Sequence, residues 1–213
     1  MSTVVIDFAM GNLHSVARAL ERAGGRDVVV SDDPDRLLRA DRVVFPGQGA
    51  IGSCVAELER RGLREAIVEV AAQRPFLGIC LGLQALFERS DEDGGVAALG
   101  VLPGQVRRFP RDGREPDGAP AKVPHMGWNQ VRTLGHHPLW RGVPGSSWFY
   151  FVHSYYVVPA DAACHAGLTA YAGIEFASAV ARGNLVATQF HPEKSHRDGL
   201  KLLENFVAWD GDA

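Results

Sequence analysis

Apolar positions follow two rhythms along this chain. Residues 3–8 form a short apolar run suited to a buried strand. After the turn at Met10-Gly11-Asn12, Leu13, Val16, Ala17 and Leu20 recur at helical spacing until Gly24-Gly25. Residues 28–30 read as a second strand, and Ser31-Asp32-Asp33-Pro34 reads as a cap and helix start. Residues 42–45 read as a third strand entering Pro46-Gly47-Gln48-Gly49, and residues 51–73 as one or two helices broken near Gly62. A fourth strand follows Pro75. Four strand–helix alternations predict an α/β fold with a parallel sheet covered by helices on both faces.

The second half is dominated by strands. A helix over 83–88 leads into the polar loop 90–95, then a strand lies within 101–109. Residues 110–120, PRDGREPDGAP, read as a mobile surface loop because Pro, Gly and charge crowd it. Strand-like runs follow at 129–131, 148–151, 155–158, 164–170, 176–182 and 185–190. The tight Arg182-Gly183-Asn184 connection marks an antiparallel hairpin, and an amphipathic helix spans 199–209. The expected architecture is a single three-layer domain over residues 1–213, with a mainly parallel central sheet and an antiparallel extension.

The stretch 75–84, PFLGICLGLQ, breaks this rhythm with chemistry. An apolar strand ends at Cys80, between Gly78 and Gly82, and Leu83, Leu86 and Phe87 resume at helical spacing. This is the layout of a nucleophile elbow, G-x-C-x-G in place of G-x-S-x-G. Glycines flank the corner because the chain turns too sharply for nearby β-carbons. A helix N-terminus aimed at the thiol would favour the reactive thiolate. A structural cysteine at a strand end gives the same pattern, since free Cys is among the most buried residue types.

Bulk properties narrow the field. The 213 residues carry a formal net charge of −3, with the basic residues scattered, which argues against a general nucleic-acid grip. Residues 1–13 have neither a basic region before an apolar core nor a small-residue cleavage site, and no apolar run reaches membrane-span length, so a cytoplasmic location is expected. Cys54, Cys80 and Cys164 are widely spaced and odd in number, which excludes a disulfide framework and a CxxC zinc motif. His136, His137, His153, His165 and His196 show no metal-ligand spacing, so neither metal nor cofactor is expected. Cys54 and Cys164 read as ordinary core or near-surface thiols, and residues 148–151 as sheet core. The polar patch His153-Ser154-Tyr155-Tyr156 interrupts an apolar strand and is harder to assign to packing.

A thiol nucleophile needs a base and a group that orients the base. In Gln189-Phe190-His191-Pro192-Glu193, His191 and Glu193 are two apart and would share a side of an extended segment stiffened by Pro192. A surface His beside a surface Glu remains the alternative. The oxyanion would take the backbone N–H of Leu81 and a second donor from the Pro46–Gly49 loop, itself a pattern common in turns.

GICLGLQ, PGQGA, QFHPEKS and GLKLLENF together resemble the class I, triad-type glutamine amidotransferases. IDFAMGNLHSV, VPHMGWN at 123–129 and YFVHSYY at 150–156 narrow the likeness to the glutaminase subunits of imidazole glycerol phosphate synthases. The blocks run from the first strand to the last helix. The resemblance implies the following. Cys80 attacks the side-chain amide of glutamine, His191 carries the proton and Glu193 orients it. Gly47, Gly49, Leu81, Gln84, Glu92, Ser154 and Tyr155 hold the substrate, with Glu92 meeting its α-amino group. Ammonia passes across the interface of a heterodimer into a (β/α)₈-barrel cyclase subunit, where imidazole glycerol phosphate and an aminoimidazole carboxamide ribotide form in histidine biosynthesis. Asn12, Trp128 and Lys194 match positions at or near that interface. In such subunits the oxyanion loop is held inactive until the partner binds its nucleotide. Two departures stand out: Gln48 replaces the Val common in that loop, and Ala9 replaces a Gly, at little cost if its φ is negative. A stand-alone thiol hydrolase and a non-catalytic binding subunit are the competing readings; a complete Cys80, His191 and Glu193 set disfavours the second.

Overall fold

The computed structural model describes residues 1–115 and 117–212. The elements of the first half are β1 (Ser2–Ile6), α1 (Leu13–Arg22), β2 (Asp27–Ser31), α2 (Pro34–Leu38), β3 (Arg42–Gly47), α3 (Ile51–Arg60), α4 (Arg64–Gln73), β4 (Phe76–Cys80) and α5 (Leu81–Ala85). Those of the second half are β5 (Arg89–Ser90), β6 (Val96–Ala97), β7 (Gly104–Arg108), β8 (His125–Thr133), β9 (Ser146–His153), β10 (Tyr155–Pro159), β11 (His165–Tyr171), β12 (Ile174–Arg182), β13 (Leu185–Thr188) and α6 (His196–Ala208).

One sheet runs through the molecule in the order β2-β1-β3-β4-β13-β12-β10-β7-β5-β6, and β11, β8 and β9 branch from β12. β2, β1, β3, β4 and β13 are parallel to one another. β12 pairs antiparallel with β13 through the hairpin read from the sequence, Arg182 opposite Leu185. Alternation along the parallel strands sorts side chains to two faces. Val4, Ile6, Val43 and Phe45 pack with Leu37, Leu58, Ile67 and Val70 of α2, α3 and α4. Val5, Val44, Leu77 and Ile79 pack with Val16, Leu20, Leu203 and Phe206 of α1 and α6. The result is the expected three-layer arrangement.

Several boundaries differ from the sequence reading. The helix expected over 83–88 is α5, five residues beginning directly after Cys80. Its shortness leaves little macrodipole, so the pull of helix dipoles on the thiol is weaker than anticipated. α3 and α4 separate at Arg61–Leu63, where Gly62 has φ +65. The strand read at 129–131 is the nine-residue β8. Trp148 is 53% exposed, so only Phe149 and Phe151 of the aromatic run join the core. Cys54 is buried in α3, and Cys164 is partly exposed. The 110–120 segment is a turn at the surface in which Glu115 N donates to Ala119 O and Ala121 N to Gly113 O; Pro116 lies outside the described residues. Ala9 has φ +63, the left-handed region, contrary to the negative φ that would make alanine costless there. Its N–H donates to Asp7 Oδ1 at 2.8 Å, which closes the turn after β1.

Candidate active site

β3 and β4 end side by side, with Gly47 in register with Cys80. Cys80 takes φ 55 and ψ −107, so the strain of the corner falls on the cysteine itself. The flanking glycines serve space instead. A Cβ on Gly82 would lie 1.8 Å from Phe45 O, and one on Gly78 would lie 2.9 Å from the Ala187 Cβ. Gly47 is confined in the same way, its Cβ position 2.9 Å from Phe8 Cζ and 3.1 Å from the Leu81 Cβ. The loop and the elbow can therefore approach only because both are bare.

His191 follows β13, the strand beside β4. Its N–H donates to Tyr150 O at 2.9 Å and its carbonyl accepts from Ser195 Oγ at 2.6 Å, which fixes the backbone. The segment after it is not extended, as alternation suggested. Pro192–Lys194 forms a 3₁₀ turn, closed by Lys194 N donating to His191 O. That turn carries Glu193 back under the ring, and His191 Nδ1 lies 2.8 Å from Glu193 Oε1 with both side chains almost fully buried. His191 Nε2 has no partner within hydrogen-bond geometry. Burial alone would depress the imidazole pKa, but the Cys80 and Glu193 side chains outweigh it and hold His191 above its ordinary value. Cys80 Sγ receives a long contact from Gln189 Nε2 at 3.7 Å and faces Val152 O at 4.0 Å. Gln189 Oε1 in turn accepts from Gln84 Nε2 at 3.1 Å.

A cavity of about 300 Å³ opens over Cys80, lined by Gln48, Gly49, Leu81, Gln84, Glu92, Pro124, Val152, His153, Ser154 and Tyr155. Six of the seven residues expected to hold substrate line it; Gly47 sits behind, against Leu81. Glu92 has a second task in this structure. Its Oε2 accepts from Ile51 N at 2.8 Å and so caps α3, the helix that follows the Pro46–Gly49 loop and has no side-chain cap from its own Ala50. Burial raises the Glu92 pKa, the Ile51 bond opposes this, and Asp93 adds to the rise. A larger cavity of about 590 Å³ lies on the far side of Glu193, between α1 and α6, but it reaches no nucleophile. Among the described residues, no group of three or more His, Cys, Asp or Glu is placed to hold a metal ion.

Of the positions expected at an interface, Trp128 is 42% exposed and stacks on His196 with centroids 4.9 Å apart. Lys194 Nζ lies 5.9 Å from the Tyr150 ring centroid. Asn12 caps α1, its Oδ1 accepting from Ser15 N at 3.3 Å. Sequence reasoning missed Gln189 and Val152 at the thiol. Gln189 stands in the same QFHPE block that supplied the base, two residues ahead of it, on the side of the strand that His191 shares.

This geometry holds a thiol on a strained corner, a buried imidazole–carboxylate pair and a polar cavity, which is the equipment of acyl transfer to cysteine. Comparison with known proteins agrees. The family model "Glutamine amidotransferase class-I" matches residues 4–209. The chain is 56% identical over 212 residues to imidazole glycerol phosphate synthase subunit HisH 1 of Pseudomonas aeruginosa, covering 99% of each. It is 57% identical over 207 residues to the subunit HisH of Dechloromonas aromatica, covering 96% of this chain and 95% of that one. Among solved structures, PurLQS from Thermotoga maritima superposes with TM-score 0.73 at 18% identity over 97% of both chains. The glutaminase domain of Trypanosoma brucei CTPS with bound acivicin superposes with TM-score 0.64 at 16% identity, over 100% of this chain and 98% of that one. Those two likenesses speak for the fold, and the sequence matches for the family: the chain belongs to the class-I glutamine amidotransferases.

Proposed function

We propose that this chain is the glutaminase subunit of an imidazole glycerol phosphate synthase, acting in the cytoplasm in histidine biosynthesis. The observation that carries the chemistry is the buried His191–Glu193 pair on the strand end beside Cys80, whose thiol lines the cavity. The pairing of nearly full-length relatives with that synthase supports the pathway.

In this reading, the Cys80 thiolate attacks Cδ of the glutamine side chain, and the C–N bond breaks as His191 Nε2 delivers a proton to the leaving nitrogen. Ammonia and a γ-glutamyl thioester result. Water then gives a proton to Nε2 and attacks the thioester carbonyl, which releases glutamate and restores the thiol. Glu193 holds the ring so that Nε2 faces the thiol, and it stabilises the imidazolium. The Leu81 N–H and the Gly47–Gly49 loop would supply the donors for the oxyanion. Glu92 carries the charge that suits the α-ammonium group, and Gln84, Ser154 and Tyr155 complete the wall.

An exposed apolar patch supports a partner. Met126, Trp128 and Trp148 are all exposed, and they share one face of the β8–β9 ladder, with Trp128 opposite Tyr150 and Trp148 opposite Gln130. Contiguous exposed aromatics mark interaction surfaces. Asn12 and Lys194 are proposed to border the contact, through which ammonia would reach a cyclase subunit. Mixing the chain with a cyclase subunit and measuring glutamate release with and without the cyclase's nucleotide ligand tests the assignment. Glutamate release should rise on mixing and again with ligand. The Cys80→Ala variant should lose at least about a thousandfold in turnover, and a variant that still releases glutamate at the parental rate refutes the nucleophile.

A further inference from the structure

The cavity wall formed by Ser154 and Tyr155 is held from behind by two histidines that have no part in the acyl transfer. His153 Nδ1 lies 2.7 Å from Tyr155 O. A carbonyl only accepts, so this nitrogen bears the proton, and the neutral ring leaves Nε2 as an acceptor. His125 Nδ1 lies 3.0 Å from that Nε2 and must be the donor, which leaves His125 Nε2 to accept. Asn129 Nδ2 meets it at 3.2 Å. The same amide nitrogen donates to Ala170 O at 3.1 Å while Asn129 Oδ1 accepts from Gln130 N at 2.8 Å, so the amide cannot be reversed. Every proton in the series points the same way, from β8 toward the cavity. At its end, Tyr155 O also accepts from Gln84 Nε2 at 3.0 Å.

We propose that His125 and His153 are positioning residues whose directional relay holds the Tyr155 carbonyl, and with it the Ser154–Tyr155 wall, in the geometry that binds glutamine. This rests on the cavity being the glutamine site. Three further observations fit. Both rings are buried, and His153 lines the cavity itself. Burial lowers His125 to about 4 and, with His125 and His191 adding to it against the Tyr155 bond, His153 to about 3. Both therefore stay neutral at working pH and keep their one-way pattern. Because both nitrogens of His153 are committed, the ring neither competes with His191 for a proton nor places a second charge beside it.

His125 also packs. Its ring stacks on Tyr171 at 3.8 Å and on Phe151 at 4.8 Å between centroids. Two substitutions separate packing from relay. His125→Phe keeps the stacked ring and removes both nitrogens. His125→Asn loses the stack but places an amide N–H where Nδ1 stood. With the cyclase partner and its ligand present, His125→Phe should raise KM for glutamine about tenfold, the loss of one buried hydrogen bond, with kcat nearly unchanged because Cys80, His191 and Glu193 are untouched. His125→Asn should return KM toward the parental value despite a lower Tm. An unchanged KM in His125→Phe, or a KM raised in His125→Asn alone, overturns the relay and leaves packing as the role. A parental complex that fails to hydrolyse glutamine at all would instead refute the assignment of the cavity. Nitrogen-15 spectra of the parental imidazoles need no substitution: His125 and His153 should both carry the proton on Nδ1, and a protonated Nε2 on His153 at neutral pH overturns the proposal.

Discussion

At the scale of the residue, two left-handed backbones tell opposite stories. Ala9 holds φ +63 at an exposed turn, whereas Cys80 holds φ 55 at the buried corner over which the cavity opens. Ala9→Gly should raise stability by about 1 kcal/mol, since the left-handed region costs an L-residue about 1–2 kcal/mol and glycine returns part of that through chain entropy. A shift of the urea midpoint upward at constant m checks it. Gln189 gives a second expectation. Its amide N–H reaches Cys80 Sγ at 3.7 Å. Gln189→Leu should slow labelling of Cys80 by an electrophilic glutamine analogue about tenfold, as expected for losing one hydrogen bond at the sulfur. Labelling at the parental rate would refute that role. The elbow at Cys80 and the His191–Glu193 contact were legible because both are local patterns. His125 and Gln189 were not, because their roles depend on partners 28 and 109 residues away in sequence.

At the scale of the element, the corner depends on bareness rather than on flexibility. Gly82→Ala would drive a Cβ to 1.8 Å from the Phe45 carbonyl oxygen, and no rotamer relieves a clash between a β-carbon and backbone. The variant should fail to accumulate as folded protein, or melt well below the parent. Gly62→Ala, which meets nothing within 4 Å but has φ +65, is the comparison and should cost only about 1 kcal/mol. The alternation of strands and helices in the first half was plain from periodicity, because each parallel strand is a continuous apolar run. The short β5 and β6 escaped notice, since two-residue strands have no period to read. The 3₁₀ turn at Pro192–Lys194 escaped for a related reason. Proline is compatible with an extended segment and with the first turn of a helix alike, and only the Lys194 N to His191 O bond decides between them.

At the scale of the whole molecule, buried imidazoles set the acid limit of stability. His125 and His153 titrate near 4 and 3 in the folded chain and near 6.5 when unfolded. Between those values the unfolded state binds more protons, so their contribution is complete above about pH 6.5 and is lost as pH falls toward 4. His191 has the opposite sign: its raised pKa stabilises most at low pH and fades as pH climbs through the folded value. Urea midpoints should therefore fall as pH drops from about 6.5 to 4, and His125→Phe, with one such ring removed, should show a shallower fall.

The position of β13 gives the same molecule a history. It is the last strand in the chain, yet it lies in the middle of the sheet, directly against β4. Residues 1–80 are synthesised with the elbow in them, and His191, the imidazole proposed to activate its thiol, arrives 111 residues later, after that strand. A nascent chain thus carries a thiol without a base, and an open seam where β13 will insert between β4 and β12. Closing that seam is a contact of long sequence separation, the slow kind in folding. In the proposed reading the reactive centre is complete only once the sheet is, so a chain ending before His191 should not hydrolyse glutamine.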